Sequence, residues 1–385
     1  MPSTVKLSRR GAQRLKDGHV WVYRSDLSAN GVPPGSLVTV LDERGKPLGT
    51  ALYSSSSQIA IRMLSTGPVP DLASLIRDRI RKAIQYRAPL IENTDAYRLI
   101  FSEADFLPGL IVDRYNDILS FQIVTQAMDA QRDLIVSELN DSLKPASIAE
   151  RVDARVRDLE QLPARTSGLV QGEKSKTIFT MNEVQFHFDA LEGQKTGAFL
   201  DQRENYSAAA RYARGEALDV FCYQGGFALH LAATCEKVTG VDSSRPALEV
   251  ADQNAALNHR EIEWIEANAF DLLKDYSAAG HRYDAIVLDP PAFAKSKANL
   301  ETALRGYKEL NLRALKMLRP GGILVTCSCS YHVSESDFVE VVSAAARDAH
   351  RPTRLLEKRG AAQDHPVLLG VPETAYLKCL ILSVI

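Results

Sequence analysis

The chain has 385 residues, of which 45% are hydrophobic and 24% are charged, and its formal net charge at pH 7 is −2. This composition is typical of a folded globular protein, and the length favours two or three domains over a single core. Because no run of about 20 apolar residues occurs and the first residues lack the apolar stretch of a secretory signal, we expect neither a membrane span nor export.

The five cysteines all lie in the carboxyl-terminal half of the chain, at positions 222, 235, 327, 329 and 379. An odd number of cysteines in a long chain favours reduced thiols over a disulfide framework, so we expect a cytoplasmic protein. Their spacing also shows no pairing typical of a zinc site, and the sequence predicts no metal centre.

Residues 6–24 form a locally basic segment in a chain that is otherwise slightly acidic. Lys6, Arg9, Arg10, Arg14, Lys16 and Arg24 stand there against Asp17 alone. A local patch is sufficient for phosphate contacts with RNA, although a solvated helix face explains the same charges equally well. Both interpretations stay open at this point.

Residues 1–68 are predicted to form a small β-rich domain. The segments "HVWVYRSDL", "GSLVTVLDERGKPLGTALYS" and "SQIAIRML" alternate apolar and polar residues, and "DERGKP" has the composition of a hairpin turn, with Gly45 supplying the unusual backbone angle. The proline- and glycine-containing stretch 65–71 is typical of a linker.

Residues 71–188 are predicted to form a compact α+β domain. A helix over 71–90 is indicated by apolar residues at helical spacing, with arginines on its other face. The segments that follow have the order strand–strand–helix–strand–strand.

From residue 190 to 385 the pattern changes to apolar strands that alternate with amphipathic helices. This predicts a doubly wound, mostly parallel, Rossmann-like sheet, in which ligands bind outside the carboxyl ends of the strands. The conspicuous polar residues of this region all occur at predicted strand ends, so we expect them to surround one ligand.

The polar residues at these strand ends favour a nucleoside ligand. Asp219 lies in the first strand, ahead of a tight turn at Gly225, and Asp242 ends the second strand, where a carboxylate can accept ribose hydroxyls. Asn268 follows the third strand and can meet an adenine edge. The alternatives are ordinary ones: a helix cap for Asp242 and a turn for Asn268.

The fourth of these strands ends in "LDPPAF". Asp289 is followed by Pro290 and Pro291, which have no backbone donors and fix an extended loop that ends at Phe293. A rigid loop with one carboxylate and one aromatic ring is suited to holding a flat base, although an aspartate that caps a helix is the simpler alternative.

Taken in order along the chain, these segments resemble the RlmI-like family of bacterial 23S ribosomal RNA 5-methylcytosine methyltransferases. The resemblance includes "HVWVY", "SQIAIR", "YRLIFSEADFLPGLIVDRY", "GQKTGAFLDQREN", "GYKELN", "CSCS" and "DHPV", and it covers nearly the whole chain. It implies an RNA-binding PUA domain at residues 1–68, a central domain, and a catalytic domain that uses S-adenosyl-L-methionine. Ribosomal RNA would be the substrate partner, and a homodimer is the usual assembly.

The resemblance also implies a set of site residues. For the cofactor these are Lys195, Thr196, Phe199, Asp201, Gln202, Arg203, Asp219, Phe221, Gly225, Asp242, Ser243, Asn268, Ala269 and Asp289. For the RNA substrate they are Pro290, Pro291, Phe293, Arg9 and Arg10.

Two cysteines one residue apart occur in "GGILVTCSCS". Cys327 is expected to pack as a small apolar residue in a buried strand, whereas Cys329 falls just past the strand end. A disulfide between them has poor geometry, since extended residues two apart separate their Cα atoms by about 6.5 Å. Mainly through the resemblance, Cys329 is predicted to be the catalytic nucleophile and Asp289 its catalytic partner.

Three other functions remain open on the sequence alone. The "DPP" loop also occurs in methyltransferases that modify guanine or an exocyclic amine, which need no thiol. A non-catalytic RNA-binding assembly factor would keep the pocket without the chemistry. A nicotinamide-dependent dehydrogenase is disfavoured, because the G-x-G-x-x-G pattern is missing.

Overall fold

The computed structural model describes the whole chain except residues 1–2, 29–30, 193–197 and 295. The chain folds into two compact units. The first contains Met1–Phe179, Phe188–Ala198 and Gln363–Thr374, and the second contains Thr180–His187, Phe199–Ala362 and Ala375–Ile385. Within the described residues, every helix is too short or too polar to cross a membrane.

The first unit begins with a near-closed barrel built on a six-stranded sheet. Its elements are β1 (Ser3–Leu7), α1 (Arg9–Lys16), β2 (Trp21–Tyr23), β3 (Leu27–Ser28), β4 (Leu37–Leu41), β5 (Pro47–Tyr53) and β6 (Ile59–Ser65), with strand order β2-β6-β5-β4-β1-β3. Alternate residues of β4 are buried, as the period-two pattern predicts. The basic segment proves to contain a helix, α1, which Ser8 caps by accepting from the Gly11 amide.

A second sheet of five strands follows, in the order β11-β10-β9-β8-β7. Its elements are α2 (Leu72–Arg87), β7 (Ala96–Phe101), β8 (Leu110–Tyr115), β9 (Ile118–Ile123), α3 (Gln126–Asp129), α4 (Arg132–Leu143), β10 (Ser147–Glu150), α5 (Ala154–Leu159) and β11 (Gly168–Gln171). Three strands, β7, β8 and β9, lie between α2 and α3, one more than the predicted order contains. A separate hairpin comprises β12 (Lys176–Met181) and β13 (Val184–Asp189).

The second unit carries a seven-stranded sheet flanked by helices. Its elements are α6 (Arg203–Tyr212), β14 (Glu216–Val220), α7 (Gly226–Leu231), β15 (Lys237–Asp242), α8 (Arg245–Leu257), β16 (Glu263–Glu266), α9 (Ala269–Ala279), β17 (Tyr283–Leu288), α10 (Leu300–Met317), β18 (Leu318–Ser328), α11 (Glu335–Asp348), β19 (Thr353–Arg359) and β20 (Lys378–Val384). The predicted doubly wound sheet is confirmed.

The strand order of this sheet is β16-β15-β14-β17-β18-β20-β19. The first five strands run parallel to one another, and β20 pairs antiparallel with both β18 and β19. The order reverses between β14 and β17, since chain connections leave these two central strands toward opposite edges. A crevice therefore opens at their carboxyl ends, which is where ligands of such sheets bind.

Candidate active site

The loop after β14 is held in an unusual backbone conformation. Phe221 and Tyr223 have φ angles of 68° and 50°, and Gly225 has a φ of 87°. Positive φ angles at non-glycine residues cost free energy and persist where the surrounding structure fixes them, as at binding sites. A Cβ atom at Gly226 would stand 2.5 Å from the ring of Tyr206, so only glycine lets α7 begin there.

Asp219 is fully buried beneath this loop. Its Oδ2 accepts a 2.8 Å hydrogen bond from the amide of Ala228, whereas Oδ1 is buried with no partner among the described residues. Burial raises the pKa of Asp219 to about 8. A buried acceptor without a donor is costly, so Asp219 is poised to receive a donor group from a ligand.

Asp242 fastens the end of β15 to the same loop. Its Oδ2 accepts from the Tyr223 amide and its Oδ1 from the Ser244 amide, each at 2.9 Å. The N-cap of α8 is Ser244, whose hydroxyl accepts from the Ala247 amide. The alternative considered for Asp242, that it caps this helix, is therefore wrong. Ser243 is exposed beside it.

Asn268 caps α9 and is exposed. Its Oδ1 accepts from the amides of Phe270, at 2.9 Å, and Asp271, at 3.4 Å. Asn268 therefore has a structural role as a helix cap rather than as a turn residue, and a contact with an adenine edge stays a prediction. Ala269, the first residue of α9, is buried.

Three predicted residues lie in the segment that leads into α6, and each has a different partner. The ring of Phe199, which is 37% exposed, meets the ring of Tyr223 edge-on at 5.2 Å. Asp201 accepts a 2.5 Å hydrogen bond from the hydroxyl of Tyr376. Arg203 is buried and lies 3.5 Å from Glu204. Two further predicted residues, Lys195 and Thr196, lie outside the described residues.

Asp289 stands directly after β17, beside the Gln202 side chain. The Gln202 amide donates a 2.9 Å hydrogen bond to Asp289 Oδ1 and in turn accepts one of 2.6 Å from Asn205. Burial, followed by the nearby charge of Asp201, raises the pKa of Asp289 to about 7, although the Gln202 bond acts in the opposite direction. Near neutral pH this carboxyl is therefore populated in both protonation states.

Cys329 follows the last residue of β18 and is half-buried, at the end of a strand next to the one that Asp289 follows. Its thiol lies 3.8 Å from the carbonyl oxygen of Pro290. A second link joins the same two segments, because the Ala294 amide donates to the Ser330 hydroxyl at 3.1 Å. The thiol and the Asp289 loop therefore form one local assembly.

The serines on either side of Cys329 explain the spacing in "CSCS". Ser328 and Ser330 are fully buried, and each hydroxyl is 3.0 Å from that of Tyr307 on α10. Side chains alternate in direction along an extended chain, so this anchoring turns Cys329 away from α10. Tyr307, which belongs to the quoted segment "GYKELN", was not predicted as a site residue.

Cys327 occupies a different environment from Cys329. It is 0% exposed and stands opposite Cys379 in the pairing of β18 with β20. Burial raises the pKa of its thiol well above the ordinary value, which suppresses the nucleophilic thiolate. The prediction that Cys327 packs as a small apolar residue is confirmed.

The predicted substrate residues of the loop differ in exposure. Pro290 is buried and Pro291 is exposed. Phe293 is partly buried, with its ring centroid 4.8 Å from that of Tyr307 and 5.9 Å from that of Phe270. One face of Phe293 thus belongs to the core, which limits its contact with a base to the remaining surface.

The basic residues of the barrel divide into two groups. Arg9 is exposed, and Arg10, also exposed, pairs with Asp26 at 2.8 Å. Arg24 instead donates to the carbonyl oxygens of Ser54 and Ser57, and Arg14 lies over the Tyr23 ring and bonds His19. Arg14 and Arg24 therefore stabilise the barrel itself, and within residues 6–24 the exposed positive charge lies on Lys6, Arg9, Arg10 and Lys16.

Comparisons with known proteins agree with this arrangement. A PUA-like domain family model matches residues 5–66, and an S-adenosylmethionine-dependent methyltransferase family model matches residues 131–382. The chain is thus a methyltransferase that uses S-adenosylmethionine.

Full-length relatives are similar over their entire lengths. Proteins called ribosomal RNA large subunit methyltransferase I are 39% identical in Aeromonas hydrophila, covering 99% of both chains, and 38% identical in Tolumonas auensis, covering 100% of both. A third, from Photobacterium profundum, is 36% identical and covers 98% of both.

Solved structures share the fold at lower identity. The methyltransferase SMU.776, complexed with SAH, has a TM-score of 0.86 at 20% identity and covers 99% of this chain and 100% of its own. A Streptococcus mutans structure described as a SAM-dependent methyltransferase has a TM-score of 0.85 at 19% identity, with coverage of 99% and 100%. The matches over the whole chain place this protein in the ribosomal RNA large subunit methyltransferase I family of S-adenosylmethionine-dependent enzymes with an amino-terminal PUA-like domain.

Proposed function

We propose that this enzyme methylates carbon 5 of a cytosine in large-subunit ribosomal RNA through a covalent adduct with Cys329. The observation that carries the proposal is the position of the Cys329 thiol, 3.8 Å from the Pro290 carbonyl and beside the loop that holds Asp289. The names of the full-length relatives support large-subunit ribosomal RNA as the substrate.

The chemistry gives a thiol a specific task. Carbon 5 of cytosine is too electron-poor to take a methyl group unaided. A thiolate that adds to carbon 6 forms a carbon–sulfur bond and shifts the ring electrons, which makes carbon 5 nucleophilic. When bound, S-adenosylmethionine supplies the electrophilic methyl group. After transfer, loss of the carbon-5 proton lets the Cys329 sulfur leave as thiolate and restores the ring.

Asp289 is proposed to hydrogen-bond the edge of the cytosine that carries ring nitrogen 3 and the exocyclic amine. A protonated carboxyl donates to ring nitrogen 3 as negative charge develops there, and the carboxylate accepts from the exocyclic amine. The raised pKa of about 7 supports both roles, because the protonated form is available at neutral pH. Pro290, Pro291 and the open surface of Phe293 are proposed to hold the base against this group.

The remaining predicted residues are proposed to hold the cofactor. Phe221 and Gly225 belong to the loop after β14, Asp219 precedes that loop, and Asp242 and Ser243 lie at the end of β15. Asn268 caps α9, and Ala269 is its first residue. Lys195, Thr196, Phe199, Asp201, Gln202 and Arg203 are proposed to close over its methionine end.

The organisation of the molecule is proposed to follow the same function. The divisions 1–68, 71–188 and 190–385 are proposed as an RNA-anchoring domain, a central domain and a catalytic domain. Arg9 and Arg10 would contact phosphates of the RNA. A cytoplasmic location is proposed, since ribosomal RNA is made in that compartment, and a homodimer is proposed from the family resemblance alone.

Bisulfite sequencing of ribosomal RNA tests the proposal. Cells that lack this gene are complemented with the wild-type gene or with the Cys329→Ala variant. A protected cytosine in the large-subunit RNA should appear with the wild type and disappear with the variant. If the variant still methylates RNA, the thiol mechanism is wrong and a guanine or amine target takes its place. If the purified protein binds no S-adenosylmethionine in calorimetry, an assembly factor is favoured instead.

A further inference from the structure

Lys378 is a buried cation close to the proposed nucleophile. It is the first residue of β20 and is only 6% exposed. In the antiparallel pairing of β18 with β20 it stands opposite Ser328, the residue before Cys329. Its ammonium donates to the carbonyl oxygen of Ser330, the residue after Cys329, at 2.6 Å, and to that of Tyr376 at 2.8 Å. Lys378 is therefore tied to the backbone on both sides of the thiol.

The buried charge of Lys378 has neutral hydrogen-bond partners only. Both are backbone carbonyls, and within the part of the chain that the structure describes no carboxylate forms an ion pair with it. A buried ammonium without a counter-charge is costly, since transfer from water disfavours the charged form. The environment accordingly lowers the pKa of Lys378 to about 8, while the charge of Cys329 acts against that shift.

Three other titratable groups near Cys329 in the described part of the chain cannot supply this positive charge. Tyr307, on α10, is neutral, and burial raises the pKa of its hydroxyl. Asp289, on the loop after β17, is neutral or negative, and so disfavours a second negative charge nearby. Cys327, on β18 itself, is buried, with the pKa of its thiol raised. Lys378 is the cation among these groups.

We propose that Lys378 is a positioning residue that stabilises the thiolate of Cys329 through its ammonium charge. When Cys329 loses its proton, the thiolate that remains is balanced by the Lys378 ammonium. The low-polarity site then holds an ion pair with no net charge. The same cation stabilises the sulfur when it leaves carbon 6 as thiolate at the end of the reaction. The inference rests on the proposed function in one respect only, that the thiolate attacks carbon 6 of a cytosine.

The experiment measures how fast Cys329 reacts with iodoacetamide in the full-length protein as the pH is varied. Mass spectrometry quantifies the labelled peptide, and fragmentation of that peptide locates the label on Cys329 rather than on Cys327, which lies in the same peptide. Lys378→Gln keeps N–H donors for the two carbonyls and removes the charge, and Lys378→Arg keeps the charge. The matched control is Lys358→Gln, which removes an exposed lysine of β19 that pairs with Glu335.

An opposite charge nearby typically shifts a pKa by one unit or more. We therefore expect the Cys329 alkylation rate at pH 7 to fall about tenfold in Lys378→Gln, with the profile moved to higher pH. The arginine variant and the control should keep the wild-type profile. An unchanged profile in Lys378→Gln overturns the inference, and so does an equal loss in Lys378→Arg.

Two further measurements distinguish an effect on the Cys329 thiol from misfolding of the variant. Thermal unfolding and calorimetry with S-adenosylmethionine show whether Lys378→Gln is folded, and a folded variant with wild-type reactivity counts against the inference. Because alkylation needs no RNA, failure of the proposed function would appear only in the bisulfite experiment and leave the alkylation result standing.

Discussion

The side-chain amide of Gln202 donates a 2.9 Å hydrogen bond to Oδ1 of Asp289. A donor on the oxygen stabilises the carboxylate, so this bond lowers the pKa of Asp289. Burial and the charge of Asp201 raise it by more, and the net pKa is about 7. Gln202 therefore lowers the pH at which Asp289 loses its proton.

Removal of the Gln202 amide is expected to shift a limb of the pH–rate profile. If protonated Asp289 donates to the base, the single-turnover rate of methyl transfer falls as the pH rises through about 7. In Gln202→Ala this descending limb should move to higher pH, because the bond that lowers the pKa of Asp289 is lost. In Asp289→Asn the limb should disappear and the rate should drop by about 10²–10⁴. A limb that stays in place in Gln202→Ala would refute the pairing.

The two cysteines of "CSCS" are expected to respond in opposite ways. Cys327 is packed in the sheet, so Cys327→Ala should lower the free energy of unfolding by about 1 kcal/mol and leave methyl transfer within a few-fold of wild type. Cys329 lies past the strand end, so Cys329→Ala should change stability by less than about 0.5 kcal/mol and abolish transfer. Urea unfolding and a radiolabelled methyl assay measure the two quantities. Loss of activity in a well-folded Cys327→Ala would reverse the assignment.

Local pattern in the sequence was enough to place Cys329. The apolar run of β18 and the serine that closes it put the thiol just beyond the strand end, as the structure shows. Likewise, Asp242 and Asp289 were expected at strand ends because apolar strands and helices alternate there. These predictions needed only the period and length of single elements.

Residues that act through pairing between distant strands were missed. Lys378 follows Cys329 by almost fifty positions, and only the antiparallel pairing of β20 with β18 brings them together. A lysine at the start of the apolar run "LKCLIL" was the available signal, because a charge there must be buried. Tyr307 was missed for the same reason, since its bonds to Ser328 and Ser330 depend on how α10 packs.

Asp219 is expected to make stability depend on pH. Its pKa is about 8 in the folded protein against an ordinary 3.8, so the folded state binds the proton more tightly than the unfolded chain. The resulting stabilisation is complete below pH 3.8 and is lost as the pH rises to about 8, by at most about 1.4 kcal/mol per pH unit.

The comparison of wild type with Asp219→Asn isolates this effect. The buried His230, whose pKa is lowered to about 4, contributes the opposite slope and is present in both proteins. Urea unfolding at several values between pH 5 and 8 should show wild type losing stability relative to the variant as the pH rises. A constant difference across this range would show that Asp219 ionises normally in the folded protein.

Arg9 and Arg24 are expected to separate RNA binding from barrel stability. Arg9 is exposed, so Arg9→Ala should weaken RNA binding by the full-length protein and reduce the slope of log affinity against log salt by about 1. Arg24→Ala leaves the Ser54 and Ser57 carbonyls without their donor and should cost about 1–3 kcal/mol of stability instead. Filter binding at a series of salt concentrations, with thermal unfolding of the same proteins, measures both effects. A salt slope unchanged by Arg9→Ala would mean that this face of the barrel does not meet the phosphates. Each phosphate contact that is lost lowers the number of counterions released on binding, and the slope must fall with that number.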